Sequence, residues 1–457
     1  MLADRYLSIL NAGWKDVFTD QRMHRRAMEH ALAWPCAMGR RTVSQSICIL
    51  GRSDQDWSAD YKMFSRSPWE ANQLFNPVVD EYLERYPKTP VVMAIDDTKL
   101  HKTGKKIPGA SWQRDPMSPP FHVNFIWGLR FLQASLVFPH HQEGQFSARG
   151  FPVRFDHVPV VKKPAKRATP EELKQYQVLR KQKNLSTSAL TLIQDFRQQL
   201  DEKGASDRQL LITADGSFCN RTFFKSQIQN VDLLARCRKD ARLCFQDRSD
   251  SRRQYAVQVF TPQDVRNSDC CEWKQTRIYF GSKRRKARYK VVDNVIWRRG
   301  AATRLLRLIV IAPVPYKMSA HSRVNYRDPA YLLTTDLKTS PKKLLQHYFD
   351  RWQIEVNHRD EKTLLAVGQS HVWSKLSVPR QPTFTVASYS ILLLAGLRCF
   401  GPGRTSHFVP LPKWRTRAGR PSVQDLLTLL RKDVCETSVS SRLNTNFAKN
   451  ITSYPKT

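Results

Sequence analysis

A chain of 457 residues, 41% of them hydrophobic, can bury a sizeable core, and its length fits two to four domains or one elaborated domain. A formal net charge of +35 and a pI near 10.1 would strongly self-repel without a polyanionic partner, and nucleic acid is the first candidate. Aromatics at 10% and dispersed charge exclude a short, lysine-tailed structural binder, and no apolar run approaches the roughly 18 residues of a membrane span, Ile391 to Leu397 being the longest candidate.

The N-terminus, Met1 to Arg5, has no basic segment followed by an apolar core and a cleavage site, so a cytoplasmic protein is expected. Nine scattered cysteines, with Cys237 and Cys244 too far apart for a zinc knuckle, read as reduced and mostly buried thiols. Residues 1–88 alternate apolar and basic positions at helical spacing, as around Arg22, Arg25 and Arg26 and from Val43 to Leu50, and predict an N-terminal helical domain.

Val91 to Ile95 is a short apolar run that predicts a buried strand with Asp96, Asp97 and Thr98 at its mouth. Two adjacent carboxylates there could share a divalent cation; they could equally form a turn or a cap. Lys99, Lys102, Lys105 and Lys106 follow, and Phe125 to Phe138 is long enough for two strands of the same sheet.

From Val161 to Lys183 the chain is lysine-rich and reads as an excursion, with Thr169 and Pro170 starting a helix. A second helix, Ser186 to Leu200, leads into an apolar strand, Leu210 to Ala214, which ends in Asp215 and Gly216. Asp-Gly after a strand is also a common turn. Val231 to Cys237 is another strand candidate, carrying the basic cluster Arg236, Arg238, Lys239 and Arg242.

Between residues 243 and 329, strand-like stretches at Tyr255 to Phe260, Thr276 to Phe280 and Leu305 to Ile311 alternate with basic turns. The run Lys283, Arg284, Arg285 and Lys286 has an ordinary reading as a solvated hairpin, but in so basic a chain a clamp on the phosphate backbone is favoured. Tyr331 to Thr335 returns to the core sheet, Phe384 to Leu397 predicts an apolar covering helix, Gly401 to Gly403 marks a boundary, and Ser422 to Arg431 is the one clear helix of the basic tail.

Ahead of Phe384, Thr339, Ser340 and Pro341 supply a cap and a first-turn proline, so one helix is predicted through Tyr348 to Lys362. At about 100° per residue, Tyr348, Arg351, Glu355 and Lys362 fall within roughly 60° of one another, a polar stripe beside an apolar sector of Leu345, Phe349, Trp352 and Val356. Such a stripe offers a carboxylate flanked by cations, or else a solvated face with an ordinary i,i+4 pair.

Tyrosine, two residues, arginine, three residues, glutamate, six residues, lysine resembles the signature of the insertion-sequence-four superfamily of bacterial DDE transposases, and all four positions match. The resemblance implies an α/β, ribonuclease-H-like catalytic core (89–242 and 330–400) interrupted by a β-rich insertion (243–329). A helical N-terminal DNA-binding domain (1–88) and a basic C-terminal region (401–457) would flank it. It implies that Asp97, Asp215 and Glu355 are the catalytic, metal-binding carboxylates, with Asp97 selected because it directly precedes Thr98 and Asp96 as the fallback. Tyr348, Arg351 and Lys362 would contact phosphates, the basic segment with Arg238 and Lys239 would lie on DNA, and Tyr331, or else Trp297, would stack on a flipped base. The implied cofactor is Mg²⁺, with Mn²⁺ as substitute. The implied partners are double-stranded DNA, as terminal inverted repeats and target, and a second copy of the chain in a paired-end complex. The implied reaction is cut-and-paste transposition: nicking, hairpin formation and opening, then strand transfer. A catalytically idle DNA-binding repressor or architectural protein, and a repair or recombination nuclease, are the competing readings.

Overall fold

The computed structural model describes residues 1–18, 20–115, 117–119, 121–140, 147–247, 254–280, 283–318, 321–414 and 419–436; the expected C-terminal region beyond 436 lies outside them. The N-terminal region forms α1 (Leu2–Trp14), α2 (Gln21–Cys36), α3 (Val43–Ile49), α4 (Ser58–Ser65) and α5 (Asn76–Arg85). Asp20 and Thr42 cap α2 and α3 by accepting from the amides of Arg22 and Gln45, which satisfies orphan donors of the first turn.

Next come β1 (Val91–His101), β2 (Ser111–Arg114), β3 (Phe125–Phe138) and β4 (Arg149–His157), all antiparallel neighbours. The segment Phe125 to Phe138 is thus one strand and not two, because it pairs with β1 over one half and with both β2 and β4 along its other edge. Helices α6 (Pro170–Gln182), α7 (Leu185–Glu202) and α8 (Arg221–Lys225) make the crossovers that parallel pairing requires, and β5 (Leu210–Ala214) and β6 (Val231–Arg236) run parallel to β1. Thr169 and Glu172 form a capping box at the start of α6, none of whose residues is buried.

The region 243–329 holds β7 (Leu243–Cys244), β8 (Val259–Phe260), α9 (Pro262–Asn267), β9 (Lys274–Phe280), β10 (Lys283–Ile296), α10 (Arg298–Ala301), β11 (Leu305–Ile311), β12 (Pro315–Tyr316) and β13 (Asn325–Tyr326). Of Tyr255 to Phe260, only the last two residues are strand. β11 pairs with β14 (Ala330–Thr334), and β14 with β6, so β10 and β11 extend the same twelve-stranded sheet, ordered β2-β3-β1-β5-β6-β14-β11-β10-β7-β8 with β4 also paired to β3 and β9 to β10.

The predicted single helix through Tyr348 to Lys362 is two: α11 (Pro341–Asp350) and α12 (Gln353–Thr363). At the junction the Trp352 amide bonds to the Phe349 carbonyl and the Ile354 amide to the Arg351 carbonyl, a tightened i→i−3 turn that re-aims the side chains beyond it. Trp352, expected on the buried side, is consequently 43% exposed.

The sheet separates two apolar clusters. One face carries Val92, Ala94 and Leu211 against Leu344, Leu345 and Ile354 of α11 and α12. The other carries Met93, Ile95 and Ile212 with Leu192 and Phe196 of α7. Helices α13 (Ser377–Phe400) and α14 (Val423–Glu436) complete the fold. By length and composition α13 could cross a membrane, but 89% of its apolar window is buried within the protein. The N-terminal helices bury it: Tyr6 Oη donates to the Ser388 carbonyl at 3.2 Å, and Phe384 meets Trp14 and Phe64 at ring separations of 5.3 and 5.4 Å. Of the nine cysteines only Cys36, Cys237 and Cys244 are buried, and no disulfide forms among the described residues.

Because one apolar cluster joins α1–α5 to α13, Phe384→Ala should cost about 3 to 5 kcal/mol and leave a single unfolding transition. Chemical denaturation followed by tryptophan fluorescence measures both; a loss under about 1 kcal/mol, or separate melting of residues 1–88, would contradict this packing.

Candidate active site

The paired strands β1 and β5 run side by side from Val91↔Leu210 to Ile95↔Ala214, and there the pairing stops. Asp96 and Asp215 are the next residues on each strand, so the register that aligns Ile95 with Ala214 sets these two carboxylates abreast where no further backbone bonds constrain them. β1 itself continues to His101 along β3, so the aspartates lie within the strand and not at its mouth.

Side chains alternate along a strand, which assigns Asp96 to the face of Val92 and Ala94, the face covered by α11 and α12. Asp97 belongs to the opposite face, that of Met93 and Ile95, where Arg130 and Lys99 are its principal cationic neighbours. On strand position the fallback, Asp96, lies on the face covered by α12 and the selected Asp97 on the other, while Asp97 also senses Asp215 and His358. His358 Nε2 stands 4.0 Å from Asp96 Oδ2, and His358 Nδ1 3.5 Å from Glu361 Oε2.

Helix α12 is fixed over this face by Asn357. Ser135 Oγ on β3 donates to Asn357 Oδ1 at 3.1 Å, and Asn357 Nδ2 donates to the Gly150 carbonyl and to Tyr389 Oη, both at 3.0 Å. A Cβ on Gly150 would come within 2.6 Å of Asn357 Oδ1, so glycine there permits the close approach of helix to sheet.

Burial pushes the Asp96 carboxyl up to about 6; His358 and Arg351 oppose the shift, while Asp215 and Asp97 add to it. Desolvation also raises Asp97 and Glu355, again with Asp215 contributing. Asp96, Asp97 and Glu355 thus each sense the charge of Asp215. Asp215 Oδ1 accepts from the Ser217 amide at 2.8 Å and from Ser217 Oγ at 2.6 Å, and Glu355 Oε1 accepts from Arg351 Nη2 at 3.0 Å.

In this arrangement no group of three or more His, Cys, Asp or Glu side chains among the described residues is close enough to hold a metal ion. The donor set nonetheless suits a hard divalent cation in kind: all three groups are carboxylates, and a cation among them would relieve the repulsion that raises Asp96. Closing the set would draw Glu355 away from Arg351.

The cleft, about 980 Å³, is lined by Asp215, Glu355, Arg351 and Trp352 together with Arg236, Arg238, Lys239, Arg266 and Tyr331. Arg351 is 9% exposed; beyond its bond to Glu355, its Nε and Nη1 have no partner among the described residues, and its guanidinium lies 5.9 Å from the Tyr348 ring centroid. Tyr348 is raised by burial, with Arg351, Arg236, Asp215 and Glu355 as its charged neighbours. Lys362 is exposed, and its lowered pKa combines desolvation with an opposing pull from Glu361, Asp96 and Asp97. Arg238 is exposed and paired with Asp240 at 2.7 Å.

Both proposed stacking aromatics are packed. Tyr331 is 4% exposed in β14, with its hydroxyl bonded to Gln263. Trp297 caps α10, lies edge-on to Phe224 at 5.7 Å and abuts Gly300. Tyr331 is buried and Trp297 half-buried, whereas Trp352 at the helix junction is 43% exposed. Lys283, Arg284 and Lys286 are exposed along β10; Arg284 lies over Tyr279, and Arg285 Nε donates to the Phe280 carbonyl at 3.3 Å.

Sequence reasoning missed His358, although helical spacing places it one turn beyond Glu355 on the same face. It also missed Arg266 and Arg327, which lie outside any patterned motif. The profile of a family described as DDE superfamily endonuclease matches residues 16–304, a span that includes Asp96, Asp97 and Asp215 and ends before Glu355. No curated protein is similar enough to count as a relative.

Asp350, the last residue of α11, is 5% exposed and accepts from Gln346 Nε2 at 2.9 Å; burial pushes its carboxyl up to about 7. The native state therefore holds a proton there that the unfolded chain releases near pH 4. The Asp350 contribution to stability is fully present below that pH and is lost as pH rises towards 7. Asp350→Asn should gain on the parent protein by on the order of 3 kcal/mol between pH 4 and pH 8. Denaturant midpoints measured across that range check it, and a pH-independent difference between the two proteins would contradict the assignment.

Proposed function

The chain belongs to the DDE superfamily endonucleases, enzymes of transposase or nuclease type that act on DNA and normally use divalent metals, and on that premise we propose that it is a cut-and-paste transposase of the insertion-sequence-four type. The observation that carries this reading is the cleft itself: Tyr348, Arg351 and Glu355 of the signature stand with Asp215, and Arg351 keeps two guanidinium nitrogens for a phosphate. The order β4-β3-β1-β5-β6, antiparallel for three strands and parallel for the next two, supports a ribonuclease-H-like core.

In this reading Asp96, Asp215 and Glu355 hold Mg²⁺, or Mn²⁺ in its place, which supplies Lewis acidity to activate a water or 3′ hydroxyl and to stabilise the leaving oxygen. Arg351 changes partner: in the DNA-free protein it neutralises Glu355, and with DNA bound it turns to the phosphate, leaving Glu355 for the cation. Tyr348 and Lys362 position phosphates on either side of the carboxylates. Arg236, Arg238, Lys239 and the exposed edge of β10 hold the backbone of the duplex. Trp352 takes the role first given to Tyr331, since an exposed aromatic beside a cleft can stack on an unpaired base for roughly 1 to 3 kcal/mol. The substrates are the element's terminal inverted repeats and a target duplex, brought together by two copies of the chain in the bacterial cytoplasm. In the same reading residues 1–88 contribute to end binding and the rest of the chain carries the catalytic core.

Nicking and joining of the element's ends by Asp96→Asn, Asp97→Asn, Glu355→Gln and Lys362→Ala tests these roles. Asp96→Asn and Glu355→Gln should bind ends yet lose cleavage by on the order of a thousandfold in Mg²⁺ or Mn²⁺, and Asp97→Asn should retain most of it. Lys362→Ala should keep some nicking and lose later steps, since one charge-assisted phosphate contact is worth about 1.5 to 3 kcal/mol. Cleavage at the parent rate by Glu355→Gln would sink the transposase reading, and nicking without joining by the parent protein would favour a nuclease.

Charge supplies a further outcome. Affinity for duplex ends should fall by orders of magnitude between low and moderate salt, because each neutralised phosphate releases counterions. A nearly flat salt dependence in an anisotropy titration would remove the backbone grip assigned to β10 and to the segment after β6.

A further inference from the structure

Helix α12 has a second polar side. Glu355, His358 and Lys362 face the carboxylates, while Gln353, Val356, Asp360 and Thr363 face a separate chamber of about 670 Å³ lined by α11, α12, α13, the start of α14 and parts of β4, β9 and β10. Arg149, Arg285, Arg327, Arg359 and Arg420 line it, against Asp350 and Asp360. Asp360 is taken by Arg359 at 2.9 Å, and burial raises the Asp350 carboxyl to about 7.

Two of the arginines hydrogen-bond to neutral oxygens. Arg149 Nη1 donates to the Pro421 carbonyl at 3.2 Å, and Arg420 donates to the Ala148 carbonyl at 2.7 Å and to Gln353 Oε1 at 2.9 Å. Burial lowers both, with Asp360 opposing it in each case, and the neighbouring Arg149 lowers Arg420 further, to about 9. Five guanidinium groups against two aspartates leave the lining with an excess of positive charge, and a phosphate would offset that excess while accepting paired N–H donors.

The chamber meets the catalytic cleft at Trp352, which lines both. Arg327 lies over Trp352 at 6.0 Å and over Phe280 at 5.0 Å, so cations and aromatic faces interleave along the passage. Interleaved aromatics and arginines suit one strand with unstacked bases, each of which has a face to stack.

We propose that this chamber is a binding site for single-stranded DNA, receiving the strand displaced past Trp352 from the catalytic cleft. The assignment rests on the reading of the protein as a DNA-cleaving enzyme and adds to it a second, strand-specific site on the far side of α12.

The test uses the full chain, a fluorescent 20-nucleotide oligodeoxythymidine and a 20-base-pair duplex. Arg327→Ala/Arg359→Ala removes two cations whose loss opens no core, and an unchanged melting temperature checks folding. The double variant should bind the single strand at least tenfold more weakly at low salt, with the slope of log K against log salt reduced by about 1.4, and should bind the duplex within twofold of the parent. Arg327→Lys/Arg359→Lys should restore most of the slope. Unchanged single-strand binding, or equal losses on strand and duplex, would overturn the proposal. So would inorganic pyrophosphate raising the parent's melting temperature but not the variant's, with strand affinity unaffected, since that marks a small-anion site. Duplex nicking by the parent, scored on the same preparation, reports on the enzymatic reading separately: its absence beside a persistent strand-specific effect would remove that reading and not the chamber's ligand.

Discussion

The stop in parallel pairing between β1 and β5 is the constraint on which the site depends. Through Ile95↔Ala214 the two strands are locked by ladder bonds and by apolar neighbours on both faces. One residue later β5 turns away, and Asp96 and Asp215 stand side by side with their backbones released from each other. No side-chain interaction need bring them together, because register alone does so, and Asn357 then holds α12 over the same face. What remains is electrostatic tension: desolvation and the nearby Asp215 raise Asp96 and Glu355, and His358 and Arg351 oppose the shift.

That tension gives Arg351 a double part. Its bond to Glu355 stabilises the DNA-free protein, and its two unpartnered nitrogens are buried donors without an acceptor, a costly state in a folded interior. A phosphate satisfies the donors, and a divalent cation satisfies Glu355. Each ligand thus lowers the cost of accommodating the other, so substrate and cation are expected to bind with positive coupling.

Much of this was legible from the chain. Short apolar runs ending in acids pointed to β1 and β5, and the spacing of Tyr348, Arg351 and Glu355 placed all three near one cleft, since helical periodicity survives a single tightened turn. The choice between Asp96 and Asp97 was not legible. It depends on which face of β1 meets α12, and strand alternation fixes only that the two residues differ. Trp352 illustrates the opposite failure: periodicity put it on the buried side, and the i→i−3 turn at the α11–α12 junction moved it out. Tyr331, expected to stack on a base, is packed as aromatic residues in strands usually are, with the Gln263 bond and the surrounding sheet holding the ring. The continuity of β10 and β11 with the core sheet also escaped the sequence, because pairing partners more than twenty residues apart leave no local signal.

The most direct measurement is anomalous scattering from manganese in crystals of the protein bound to a DNA end. The account predicts a manganese peak bounded by Asp96, Asp215 and Glu355, with the Arg351 guanidinium released from Glu355 and bonded to a phosphate. A peak coordinated by Asp97 in place of Asp96, or bound manganese with the Arg351–Glu355 pair still intact, would contradict it.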